Sequence, residues 1–123
     1  MGSEKSIRNS IENARVHNNL GMLLGQASRN HPEQNLMSQA ITHLETACRI
    51  DTNRSEYVES LAGVLEEQGR LDAAIDRHRN YLGRYPDETG AWLVLADCLE
   101  DAGRGAEADR ARKRGRQSTR QRE

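Results

Sequence analysis

The sequence predicts an all-α protein built from stacked helical hairpins, and three observations carry that prediction. Residues 89–122 repeat residues 55–88 at a fixed shift of 34: Leu61-Ala62-x-x-Leu65-Glu66-x-x-Gly69-Arg70-x-x-x-Ala74 returns as Leu95-Ala96-x-x-Leu99-Glu100-x-x-Gly103-Arg104-x-x-x-Ala108. A period between about 20 and 50 residues marks a supersecondary unit that stacks on its neighbours, and 34 suits a helix–turn–helix. Apolar residues recur at three- and four-residue steps, the spacing of one helical face. Mean hydropathy is −0.90, aromatics are 3% and there is no Phe. That is too little for a deep core, yet enough for the thin seam of an array whose units touch only their neighbours.

Six helices follow in order. Ile7, Ile11, Ala14, Leu20, Leu23 and Leu24 predict a first helix over 4–25, ended by Gly25 and a polar loop that contains Pro32. Met37, Ala40, Ile41, Leu44, Ala47 and Cys48 predict a second over 36–50, with Asp51-Thr52-Asn53 as the turn. The third spans about 54–68, with Ser55 as N-cap and Gly69 supplying the left-handed residue at its end. The fourth covers 71–84 and stops because Pro86 disfavours a helical residue before it. The fifth runs over 88–102 to Gly103. The sixth starts near Ala106, carries only Ala106, Ala108 and Ala111 as an apolar stripe, and frays at Gln117-Ser118-Thr119.

These pair into three hairpins within one domain, 1–123, over about 14–54, 55–88 and 89–122. The first is longer. Leu20-Gly21-x-x-Leu24 matches Leu61-Ala62-x-x-Leu65 at a shift of 41, whereas Ala40-Ile41 matches Ala74-Ile75 at 34. The difference of 7 residues predicts an insertion between the first two helices, read as a loop over 26–35.

Charge is unevenly spread. The net charge of −1 divides into −6 over residues 1–103 and +5 over 104–123, which predicts a charged partner or two regions that attract each other. Cys48 and Cys98 stand in no metal or redox spacing, and the four histidines are scattered. No phosphate loop, zinc-protease motif or nucleophile elbow occurs. The sequence therefore predicts no enzyme, no cofactor and no metal. No apolar run approaches the roughly 18 residues of a membrane span and no signal peptide is visible, so a cytoplasmic chain without a membrane segment is expected.

The repeat resembles the tetratricopeptide repeat, W-x-x-L-G-x-x-Y, then A-x-x-x-F, then P. The third unit shows Trp92-x-x-Leu95-Ala96-x-x-Leu99. The second shows Val58-x-x-Leu61-Ala62-x-x-Leu65, Ala74-x-x-x-His78 and Pro86, and the first His17-x-x-Leu20-Gly21-x-x-Leu24 and Ala40-x-x-x-Leu44. Thr52 replaces the closing proline of the first unit, and Arg112 stands where the first two have Leu44 and His78. Small residues at Gly21, Ala62 and Ala96, and at Ala40, Ala74 and Ala108, allow paired helices to approach closely.

The resemblance implies a right-handed solenoid of six helices in three antiparallel pairs, a protein- or peptide-binding scaffold whose first helices line a concave groove. Carried over by position, the groove residues are Arg15, Asn18 and Met22, then Glu56, Glu59, Gly63, Glu66 and Glu67, then Leu93, Asp97, Glu100 and Asp101. Seven are carboxylates and only Arg15 is basic, which predicts a basic or amphipathic peptide partner. Glu66 and Glu100 are spaced to pair with Arg70 and Arg104. Glu67 and Asp101 lie in last turns, where the helix dipole disfavours negative charge. The family's clamp for acidic chaperone tails is not present: Asn18, Met22, Ser60, Gly90 and Val94 replace its Lys, Asn and Arg residues.

The basic tail over 110–123, with Arg110-x-Arg112-Lys113-Arg114-x-Arg116, has three readings. It is a solvated capping helix, or it enters the acidic groove of another copy and makes a homo-oligomer, or it touches nucleic acid. The last is disfavoured because no aromatic lies among the cations to stack on bases.

Overall fold

The computed structural model describes residues 2–122, with side chains over 4–119. The basic tail foreseen over 110–123 therefore has side chains, those from 120 on, outside the described residues. The order is α1 (Gly2–Asn30), a 3-10 turn (Pro32–Gln34), α2 (Leu36–Ile50), α3 (Ser55–Glu67), α4 (Leu71–Arg84), α5 (Thr89–Asp101) and α6 (Gly105–Arg122). Every regular element among the described residues is helical. The chain divides into two compact units, Met1–Val64 and Leu65–Glu123.

In the first unit the packing rests on small residues. Ala14, Ala40, Leu44 and Ala47 are fully buried. A β-carbon at Gly21 would lie 2.6 Å from Leu44 Cγ and 3.0 Å from the Ala40 carbonyl oxygen, so only glycine lets α2 come this close. Ala14 and Ala47 also enclose the ring of Tyr57.

Three features here depart from the sequence reading. Gly25 does not end α1, which continues to Asn30. Gly25 is buried, facing Val64 and Ala40, and packing overrides its poor helix propensity. At the shift of 41 the end of α3 at Glu67 corresponds to Gln26, so four of the seven extra residues lengthen α1, by about one turn, and the rest fall in the connection and at the start of α2. The loop foreseen over 26–35 shrinks to His31–Asn35, where Pro32 stops the helix and Asn35 takes a left-handed conformation, φ 52°. Secondly, of the leucines foreseen as the seam of α1, Leu24 is half-buried while Leu20 and Leu23 face away from it, and Ile7 and Ile11, foreseen with them, are exposed too. Val16, Leu20 and Leu23 are exposed, Leu23 at 64%, because 100° per residue places them opposite Ala14, Gly21 and Gly25. Thirdly, Ser55 is the first helical residue of α3 rather than its N-cap.

The second unit follows its prediction more closely. Ala74, Ile75, Leu82, Leu95, Ala96, Leu99 and Ala108 are buried. Both glycine-ended helices close with the same motif. Gly69 and Gly103 have φ of +75° and +74°. Arg70 N–H donates to the Leu65 carbonyl at 2.8 Å and Gly69 N–H to Glu66 at 2.9 Å; Arg104 and Gly103 repeat this with Leu99 and Glu100 at the same distances. These are the paired bonds of a Schellman end. α4 stops at Tyr85, ahead of Pro86.

α6 corrects the expectation of fraying. It is helical through 117–119, and its buried stripe continues from Ala108 and Ala111 to Gly115 and Ser118, while Ala106 is exposed. Gly115 packs beneath Trp92, and the Ser118 hydroxyl donates to the Pro86 carbonyl at 3.0 Å.

Candidate functional site

The groove residues foreseen from the sequence meet different fates. On α1, Arg15 is exposed and Met22 is 53% exposed. Asn18 is buried: its amide donates to Met22 Sδ at 3.6 Å, and its Oδ1 finds no partner among the described residues. It braces α1 and is not presented to solvent. The Ser60 hydroxyl also reaches Met22 Sδ, at 3.7 Å, so the thioether is held from two sides. On α3, Glu56, Glu59 and Glu67 are exposed and Gly63 is half-buried. On α5, Leu93 is 46% exposed, and Asp97 and Asp101 follow at four-residue steps on the same face, both exposed.

The charge pairs are rearranged from those expected. Glu100 pairs with Arg112 at 2.9 Å, not with Arg104 one turn on. Arg104 instead reaches Asp72 at 3.3 Å and pairs with Glu107, which also takes Arg79 at 3.1 Å. Partial burial raises the Glu107 carboxyl, but the charges and hydrogen bonds of Arg104 and Arg79 outweigh it and hold the group below the usual carboxylate range. Arg112 also meets Asp109 at 3.2 Å and Asp97 at 4.0 Å. Its hydrogen bond to Glu100, supported by the other carboxylates, strengthens its hold on its proton. One arginine of the basic tail is thus turned onto the carboxylates of α5 in its own chain.

Between α4, α5 and α6 lies a pocket of about 470 Å³. Leu82, Leu95 and Leu99 form its apolar wall, and Arg79, Arg110 and Arg114 stand around it. Trp92 is fixed there by an Nε1–H bond to the Pro86 carbonyl at 2.8 Å, with the Arg114 guanidinium 5.3 Å from its ring centre. The tail foreseen as lacking aromatics thus finds one across the fold.

A polar cluster inside the second unit escaped the sequence reading. Glu66 of α3, His78 of α4 and Cys98 of α5 each bring one ligand-type atom within 4.8 Å of the others. His78 is 3% exposed and Cys98 1%, while Glu66 is half-buried. Glu66, foreseen on the groove, points inward to accept a hydrogen bond from the Cys98 thiol. Burial pushes that thiol up to about 12, with the Glu66 carboxylate adding to the effect. Burial also lowers His78 to about 4, so its ring is neutral at neutral pH, and its Nε2 has no hydrogen-bond partner among the described residues. The one signal in the sequence was His78 itself, standing where the repeat pattern has Phe.

Residues 65–123 match the sequence profile of the tetratricopeptide repeat. No curated protein matches the chain. Among solved structures, "MamA MSR-1 C2" is similar over 98% of this chain and 65% of its own, with 23% identity and a TM-score of 0.66. "Crystal structure of MamA" is similar over 91% and 61%, with 20% identity and 0.63. "Crystal structure of MamA protein" is similar over 88% and 55%, with 20% identity and 0.63. The chain therefore spans less than two thirds of the length of each of these three, and identity at this level speaks for the fold alone. Among the described residues no helix is long and apolar enough to cross a membrane. Residues 65–123 belong to the tetratricopeptide repeat family, and the six-helix chain carries that family's fold.

Proposed function

We propose that this chain is a protein-interaction scaffold that holds a basic or amphipathic peptide on the acidic faces of its first-of-pair helices, without chemistry of its own. The observation that carries the reading is the stripe Leu93, Asp97 and Asp101 on α5. It sets an exposed leucine beside two exposed carboxylates. An apolar side chain left open among carboxylates suits a segment that alternates cations with apolar residues. Glu56, Glu59 and Glu67 on α3, with Gly63 leaving the backbone of that helix accessible, and Arg15 and Met22 on α1, are assigned as further contacts. Asn18 contributes by holding Met22.

The test is fluorescence anisotropy with a labelled peptide of alternating lysine and leucine pairs, and a glutamate-for-lysine peptide as control. The basic peptide should bind, and more weakly as salt rises, since exposed charges are screened over about 8 Å at physiological ionic strength. Charge reversal at Glu59 and Asp97 together should abolish binding. Unchanged affinity in that variant overturns the assignment.

A further inference from the structure

The geometry points to a transition-metal site formed by Glu66, His78 and Cys98, with zinc as the ion it suits best. The three side chains come from three different helices, and one donor atom from each lies within 4.8 Å of the other two. Around a tetrahedral zinc, with bonds of about 2.0 Å to nitrogen or oxygen and 2.3 Å to sulfur, such atoms stand roughly 3.3–3.6 Å apart. Closing the remaining distance needs a shift on the order of an ångström, and the half-buried Glu66 carboxylate, on a flexible stem, can supply it.

The donor set is chemically selective. A thiolate, an imidazole and a carboxylate together favour zinc over the oxygen-seeking calcium and magnesium. His78 Nε2 is an independent sign: it is a buried ring nitrogen with no hydrogen-bond partner among the described residues, a state that costs free energy unless something occupies it. The neutral imidazole has a lone pair to give and needs no deprotonation. Cys98 must lose its proton on binding, which passes to solvent as the ion replaces the thiol hydrogen on the Glu66 side. Three protein ligands leave the fourth position of the ion to water.

A stable buried network offers a competing account of the same cluster, and the experiment separates the two. The purified full chain is stripped with chelator and titrated with cobalt(II), whose bond to a thiolate gives a charge-transfer absorption in the near ultraviolet. The expected result is a band that saturates at one cobalt per chain, disappears on adding zinc(II), persists in Cys48→Ser and is lost in Cys98→Ser. Glu66→Gln should weaken binding by about tenfold or more, at least the loss typical of removing a supporting partner. Should Cys98→Ser fail to fold, the wild-type chain and Glu66→Gln still decide the matter. Zinc should raise the wild-type thermal midpoint in a concentration-dependent way, and raise that of Glu66→Gln less. Absence of the band, a band that follows Cys48, or a midpoint indifferent to zinc overturns the site.

Discussion

α1 and α5 occupy the same place in their repeats, yet they use the shared Leu-small-x-x-Leu motif in opposite ways. In α5, Leu95 is 2% exposed and Leu99 1%, and the leucines are the core. In α1 the equivalent Leu20 is 39% exposed and Leu24 only half-buried, and full burial falls to Ala14, Gly21 and Gly25. The small residue is the constant. Ala96 and Gly21 both face inward because a neighbouring helix presses there, while the flanking leucines are buried only where something covers them. A sequence motif of this kind records close helix approach more faithfully than it records which large side chains form the core.

The sharpest way to break the comparison is to truncate the equivalent leucines. Leu95→Ala should cost about 2–5 kcal/mol, the range for emptying a filled core position. Leu20→Ala, half in water already, should stay within about 1 kcal/mol. Urea denaturation of the two variants measures the difference, and equal losses would mean that the α1 stripe is covered in solution.

The next effect concerns His78, where the repeat pattern has an apolar ring. The unfolded chain takes up a proton near pH 6.5, but folded His78 does not until about 4. The unfolded state therefore binds more protons in that interval, and stability falls as pH drops through it, by up to roughly 3 kcal/mol from this group. His78→Phe should flatten that part of the stability–pH curve when both proteins are unfolded in chelator at each pH. The same slope in both would place the titration elsewhere.

Gly21 gives a smaller and more local test. Gly21→Ala forces Leu44 off its position and should cost about 1–3 kcal/mol, the typical penalty for overpacking. The equivalent positions in the later repeats already carry alanine. Thermal unfolding of the variant reads the cost, and a neutral result would show that α1 and α2 can separate without loss.

What was legible in the sequence was local or periodic. Gly69 announced its left-handed turn, and Gly103 the end of its helix, because a helix end is decided within a few neighbouring residues. Pro86 stopped α4 for the same reason. The length of α1 was not legible: Gly25 and the polar residues after it read as a stop, and only tertiary contact with Ala40 and Val64 overrules that. The Glu66–His78–Cys98 cluster was illegible by spacing, since its members lie 12 and 20 positions apart and meet only when three helices pack. Asn18 and Glu66 were placed on a surface by analogy with the repeat, whereas their neighbours draw them inside.

The smallest effect concerns Arg112. It occupies the position of Leu44 in the first repeat, yet it lies across Glu100, Asp109 and Asp97. Exposed ion pairs contribute little and are screened by salt, so Arg112→Ala should leave the thermal midpoint unchanged at moderate salt and lower it slightly at low salt. Its larger consequence is electrostatic. Removing the arginine uncovers the carboxylates of α5, so the basic peptide should bind Arg112→Ala more tightly than the wild type at low salt. Weaker binding would mean that Arg112 itself contacts the partner. Light scattering on the same pair separates a further case: if the tail serves another copy, loss of Arg112 should reduce salt-sensitive growth in mass. If it serves its own helix, the mass should be the same in both proteins across the concentration series.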